Sequence, residues 1–265
     1  MLILKRFDIM KKPTLLLILF LSLNHCNKDT PTAPTPNTLP TAFTPAAANT
    51  EIIQHTHYTL SYIEHHEQAE WVYYRLTKDR RMTEPRVERT DNFRPDPNVS
   101  TGSAQLEDYK GSGYDRGHLC PAADMAHSEL AMSETFFMSN MSPQSPSFNR
   151  GIWRSLESDV RDWAVASDTL HIVTGPILQN KQYPTIGPNN VTIPDYYYKA
   201  LLDIAGPDHK AIAFILPNTK GEHDILDYAV TIDSLETLTN IDLFHELPND
   251  LETQLEKTID VQKWH

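Results

Sequence analysis

The chain opens its folded part with strand-like apolar patterning and later switches to a helical rhythm. HYTLSYIE (57–64) and EWVYYRLT (70–77) are aromatic and β-branched, with polar HHEQA between them, which predicts a hairpin. LHIVTGPIL (170–178) and AIAFILP (211–217) are apolar runs bounded by Gly or Pro, the pattern of buried strands. YYYKALLDI (196–204) predicts a further strand. In SFNRGIWRSLESDVRDWAVA (147–166), Ile152, Leu156, Val160 and Trp163 recur at helical spacing and predict the clearest helix. Shorter helices are expected at 127–139, 232–238 and 248–259. No internal repeat is visible. Strands and helices mix without a βαβ rhythm, so the expected class is α+β, with a mixed or antiparallel central sheet flanked by helices.

The first fifty residues follow another pattern. MKKPTLLLILFLSLNHC (10–26) sets two lysines before a short apolar run, the layout of a secretory signal. The run is shorter than the roughly 20 apolar residues of a membrane span. MKK at Met10 fits the start of such a signal better than the preceding MLILKRFDI does. Cys26, just after the run, resembles the lipid-attachment site of bacterial lipoproteins, with His25 where that family prefers a small residue. Residues 27–50 are rich in Pro, Thr and Ala and are expected to form a flexible tether. The expected organisation is a signal over 1–26 with lipidation at Cys26, a linker over 27–50 and a folded domain over 51–265. Such a protein is exported: secreted, periplasmic or anchored to the cell envelope, meeting a membrane only through its lipid.

The formal charge is −12. It is unevenly spread: residues 221–265 hold eleven acids against Lys257 and Lys263, whereas residues 78–94 hold six basic groups against four acids. Contact with an anion depends on local groups, so the acidic total weakens an anionic substrate without excluding it. Cys26 and Cys120 give neither a zinc spacing nor a disulfide framework. His55, His57, His65 and His66 lack a third ligand type at metal spacing and are expected at the surface.

Two stretches carry chemistry. In YDRGHLCPAADM (114–125), His118 is a group that can take a proton from water near neutral pH. Asp115 and Arg116 are candidates for organising the loop, and Gly117 permits a close backbone approach. In FMSNMSPQSPSFNRGIWRSLE (137–157), Asn149, Trp153 and Glu157 are spaced i, i+4, i+8, on one face of the expected helix. An amide oxygen such as that of Asn149 is a hard ligand suited to Mg²⁺, which keeps most of its waters. Glu157 is placed to hold one of those waters, and Asn140 and Gln144 to brace the site. Trp153 and Asp124 read as structural.

DRGHLCPAADM, followed by N-x-x-x-Q-x-x-x-x-N-x-x-x-W-x-x-x-E, resembles the DNA/RNA non-specific endonucleases of the ββα-metal class. The resemblance runs from about Tyr58 to about residue 245, with TGPIL, IPDYYYK and FILPN in order. It implies a ββα-metal active-site element, DNA and RNA substrates, and Mg²⁺, with Mn²⁺ as a substitute. It implies His118 as general base, Asn149 as the direct metal ligand and Glu157 as the acid orienting a water of the metal. It places Arg116 near the phosphate and makes Asn140 and Gln144 supports of the metal loop. It also calls for an arginine ahead of the motif, for which Arg89 is the first candidate and Arg94 the second. The competing expectation is a catalytically inactive surface lipoprotein that binds nucleic acid or another partner.

Overall fold

The computed structural model describes residues 43–46, 50–179 and 181–264. The expected signal, Cys26 and most of the linker lie outside the described residues. Three strands come first: β1 (Glu51–Gln54), β2 (Tyr58–Ile63) and β3 (Gln68–Thr77). A ribbon of β4 (Asp115–His118) and β5 (Met141–Gln144) precedes β6 (Thr169–Pro176). A second ribbon, β7 (Thr185–Ile186) with β8 (Val191–Thr192), leads to β9 (Tyr196–Asp203), β10 (Lys210–Pro217) and β11 (Ala229–Val230). The main sheet has seven strands in the order β1-β2-β3-β6-β9-β10-β11, and every pairing is antiparallel. The helices are α1 (Lys78–Met82), α2 (Leu106–Tyr109), α3 (Glu129–Glu134), α4 (Arg154–Ala166), α5 (Ile232–Thr239) and α6 (Asn249–Lys257). The class is therefore α+β, as the patterning predicts.

Helices cover both faces of the sheet, which is why its inner strands read as continuous apolar runs. Successive side chains of a strand point to opposite faces. On β3, Val72, Tyr74 and Leu76 join one core, where α4 contributes Leu156, Val160 and Trp163. Trp71 and Tyr73 join the other, where α5 and α6 contribute Ile232, Leu235 and Leu255. That second core also holds Phe43, a residue of the expected linker. Its ring packs edge-on to His171 at 4.8 Å, and Ala46 N donates to Asp242 O at 2.9 Å. The packed body thus reaches back ahead of Glu51.

Several local expectations are corrected. The expected helix over 127–139 is only α3, capped by Ser128, whose hydroxyl accepts from Ala131 N at 3.1 Å. A 3₁₀ turn over Met138–Asn140 follows. The helix over 147–166 is not continuous. A wide turn over Phe148–Trp153, with non-helical Gly151 (φ −106°, ψ −114°), precedes α4. Glycine costs about 1 kcal/mol in a helix interior, so the break falls where helical preference is weakest. Two of the four histidines expected at the surface have buried side chains instead. His55 Nε2 pairs with Asp96 Oδ2 at 2.9 Å, and His66 Nδ1 meets Thr192 Oγ1 at 2.9 Å. Polar partners from segments distant in the chain satisfy them, and sequence spacing does not reveal such partners.

Candidate active site

The DRGH residues are strand β4, paired with β5 in the register Asp115↔Gln144, Arg116↔Pro143, Gly117↔Ser142 and His118↔Met141. β5 is tied to the main sheet through Tyr197, whose hydroxyl donates to Pro143 O at 2.9 Å. Asn140 braces the loop after His118 with its whole amide. Its Oδ1 accepts from Cys120 N at 2.9 Å, and its Nδ2 donates to Cys120 O at 3.0 Å and to Thr135 O at 2.8 Å. The expected bracing role of Gln144 takes another form. Its amide is fully buried and makes no side-chain hydrogen bond among the described residues, and it fills the space above Gly117. A Cβ on Gly117 would lie 2.2 Å from Gln144 Cδ. The motif needs glycine there because two backbone segments and an amide share one site.

His118 is wedged between two aromatic rings, Phe136 at 5.0 Å and Phe93 at 5.7 Å, both edge-on. Arginines cap this stack from outside: Arg116 lies over Phe93 at 4.1 Å and Arg89 over Phe136 at 4.8 Å. Burial, then the charges of Arg89 and Arg116, push the His118 pKa down to about 3. The imidazole is therefore neutral and its ring is fixed by packing. The other upstream candidate, Arg94, is engaged elsewhere: it donates to Ser133 O at 2.9 Å and lies over Phe137 at 4.0 Å.

Asp115 organises the opposite wall. It accepts from Asn149 Nδ2 at 2.9 Å and from Arg150 Nε at 2.8 Å and Nη2 at 2.5 Å. Burial opposes its charge, but the hydrogen bonds from Arg150 and Asn149 hold its pKa below the usual carboxylate value. With Nδ2 fixed on Asp115, the amide of Asn149 is oriented and its Oδ1 has no hydrogen-bond donor among the described residues. Asn149 and Trp153 sit in the wide turn rather than in α4, so they do not form one α-helical stripe with Glu157. The cleft nevertheless unites them: Arg89, Arg116, His118, Asn149, Arg154 and Glu157 line one cavity of about 350 Å³. Trp153 lies below it, fully buried in the core.

Behind Glu157 stands a charged cluster that the sequence reading missed. Burial pushes the Glu157 pKa up to about 7, and the positive charge of Lys199 opposes the shift. Lys199 is fully buried. Its Nζ has no hydrogen-bond partner among the described residues and lies 4.8 Å from the Trp153 ring. Arg161 lines the same cleft and pairs with buried Asp124 at 3.0 Å, and Tyr74 donates to Asp124 at 3.0 Å. Arg161 was within reach of a spacing argument, since it follows Glu157 by one helical turn. Lys199 was not, because it arrives on β9.

The cleft thus gathers a neutral imidazole, an oriented hard amide oxygen, a partly buried carboxylate and several guanidinium groups, a combination suited to an anionic substrate. Comparison with known proteins agrees. A sequence model described as DNA/RNA non-specific endonuclease matches residues 36–250. The chain is 33% identical over 208 residues to the mitochondrial nuclease EXOG of Danio rerio, covering 73% of this chain and 60% of that protein. It is 32% identical over 233 residues to a nuclease of Nostoc sp., covering 83% and 82% respectively. It is 34% identical over 213 residues to the mitochondrial endonuclease G of Caenorhabditis elegans, covering 75% and 69%. A crystal structure of the EndoG/EndoGI complex superposes with a TM-score of 0.70 at 28% identity, over 78% of this chain and 89% of that one. The chain spans about 60% of the length of the EXOG relatives it matches. By sequence, fold and the content of this cleft, the chain belongs to the DNA/RNA non-specific endonuclease family.

Proposed function

We propose that the protein is a metal-dependent, sugar-non-specific endonuclease that hydrolyses phosphodiester bonds of DNA and RNA. One observation carries the reading: His118, Asn149, Glu157 and an arginine-rich wall meet in a single cleft. Phosphodiester hydrolysis needs a nucleophile in line, charge neutralisation at phosphorus and a stabilised leaving oxygen. Arg89 and Arg116 flank His118, so a bound phosphate lies between guanidinium groups and beside the base. Burial contributes most to the depressed His118 pKa, and the phosphate offsets the smaller part that comes from Arg89 and Arg116, raising the ring's basicity when substrate is present. His118 then takes the proton of the attacking water, a contribution of roughly 10²–10⁴-fold.

The donor set fits a hard divalent ion. The Asn149 amide is fixed by Asp115 with its oxygen free, and Glu157 lines the same cleft. Asn149 would be the direct ligand and Glu157 would orient a water near it. Bound Mg²⁺, or Mn²⁺ in its place, would supply Lewis-acid stabilisation of the phosphate and of the leaving oxygen. Asp115 keeps Asn149 oriented, and Lys199 and Arg161 hold negative charge near Glu157. Contacts of this kind go to phosphate and not to base edges, so cleavage is sequence-tolerant, and a water nucleophile needs no 2′-hydroxyl.

We place the enzyme outside the cytoplasm on the signal-like segment, with Cys26 as a lipid attachment point. The test is cleavage of plasmid DNA and structured RNA by the full chain with Mg²⁺, with EDTA, and with His118→Ala. Metal-dependent cutting of both polymers that the substitution abolishes supports the reading. Folded protein that binds the polymers without cutting them under several divalent ions replaces it with a binding protein.

A further inference from the structure

On the face of the sheet opposite α4, helices α5 and α6 bring carboxylates together. Asp233, Glu236 and Glu256 each place an oxygen within 4.8 Å of the others. Two oxygens bound to one Ca²⁺ at about 2.4 Å are at most ~4.8 Å apart, so the spacing already matches one coordination sphere. An acidic cluster on a surface says little by itself. Here the decisive residue is Glu256, which is only 7% exposed. Its Oε1 is buried without a partner, and neither oxygen accepts a hydrogen bond among the described residues.

A buried carboxylate without a partner is costly, and like charges beside it add to the cost. Glu252 and Asp242 contribute further negative charge at Glu256. Among the described residues no Lys or Arg forms an ion pair with any of these five acids. Glu236 Oε1 accepts from Leu243 N at 2.6 Å, which fixes that carboxylate and ties the loop between the helices to the cluster.

We propose that Asp233, Glu236 and Glu256 form a second, structural cation site that takes Ca²⁺ and clamps α5 to α6. Ca²⁺ fits better than Mg²⁺ because it accepts 6–8 oxygen ligands in flexible geometry, whereas Mg²⁺ keeps its waters and tolerates few carboxylates. Glu252 and Asp242 supply the remaining negative charge around it. The site lies across the sheet from the His118 cleft and is independent of the reaction proposed there.

The test is Ca²⁺ titration of the full chain by calorimetry, with thermal melts on the same samples. The variants are Glu256→Gln, Asp233→Asn and, as a control for the cleft, Asn149→Ala. At about 100 times its dissociation constant, Ca²⁺ should raise the melting midpoint of the parent protein by roughly 5–10 °C. Asn149→Ala should keep this shift. Glu256→Gln should lose it and bind Ca²⁺ at least about tenfold more weakly, while keeping the parent's melting midpoint without Ca²⁺, because the amide matches the shape of the carboxyl. Asp233→Asn, at a partly exposed position, carries the test if Glu256→Gln does not fold. No shift in the parent protein overturns the proposal. So does a full shift in both acid variants, or a shift that only Asn149→Ala removes.

Discussion

Substituting Gly117 by alanine tests whether the DRGH element works through a close approach of β4 to Gln144. The added methyl would lie 2.2 Å from Gln144 Cδ, at least 1.2 Å inside the 3.4 Å lower limit of ordinary contact (3.4 − 2.2). Gln144 is fully buried, and it sits on β5, which Tyr197 holds to the main sheet. The amide therefore has nowhere to swing, and β4 itself must move. Overpacking of this kind costs about 1–3 kcal/mol. The larger effect falls on His118, the next residue, because a displacement of ~1 Å at a reacting group costs on the order of 10²-fold in rate. Denaturant unfolding and plasmid nicking by Gly117→Ala should show both losses. Gly206→Ala, where a Cβ meets nothing within 4 Å, should show neither. Gln144→Ala removes the obstructing atoms, so Gly117→Ala/Gln144→Ala should be more stable than the sum of the single changes by about 1 kcal/mol. Parental stability and nicking by Gly117→Ala would refute the reasoning.

Four further outcomes are expected. His118→Ala should cut cleavage by roughly 10²–10⁴-fold while the far-ultraviolet spectrum stays that of a folded protein, with some loss of melting midpoint from the space left between Phe93 and Phe136. Asp115→Asn weakens the salt link to Arg150 and releases the orientation of Asn149, so the Mg²⁺ concentration for half-maximal cleavage should rise about 10–100-fold, read from an Mg²⁺ titration of the rate. Lys199→Met removes the positive charge that opposes the upward shift at Glu157, so the limb of the pH–rate profile set by Glu157 should move to higher pH; an unmoved limb would separate the two groups. Burial pushes the His171 pKa down to about 4, below its unfolded value of 6.5, so the neutral ring's contribution is complete above pH 6.5 and is lost as pH falls toward 4. It amounts to about 3 kcal/mol, and acid titration of His171→Gln by circular dichroism should show a correspondingly shallower loss of stability.

Much of the site was legible because its chemistry is clustered along the chain. The residues of β4 are consecutive, and Asn140, Gln144, Asn149 and Glu157 follow within one short stretch. Spacing located them, although it wrongly put Asn149 in the regular helix. The break at Gly151 depends on what packs around the turn, and helical periodicity does not register it. The fate of Gln144 was equally hidden, since an amide that fills the space above a glycine looks in sequence like one that makes hydrogen bonds.

The sequence by itself determined the long elements: apolar runs suffice to specify β2, β3, β6, β9 and β10, and the Leu156–Trp163 spacing specifies the helix that carries Glu157. It also determined which groups could do the chemistry. Only the tertiary structure decided what surrounds them. Lys199 reaches Glu157 from β9, Arg161 engages Asp124, His55 finds Asp96, and Glu256 is buried among other acids. The physical reason is the same in each case. Local pattern follows from backbone geometry over a few residues, whereas burial and charge pairing depend on which segments the packed sheet brings together from far apart in the chain.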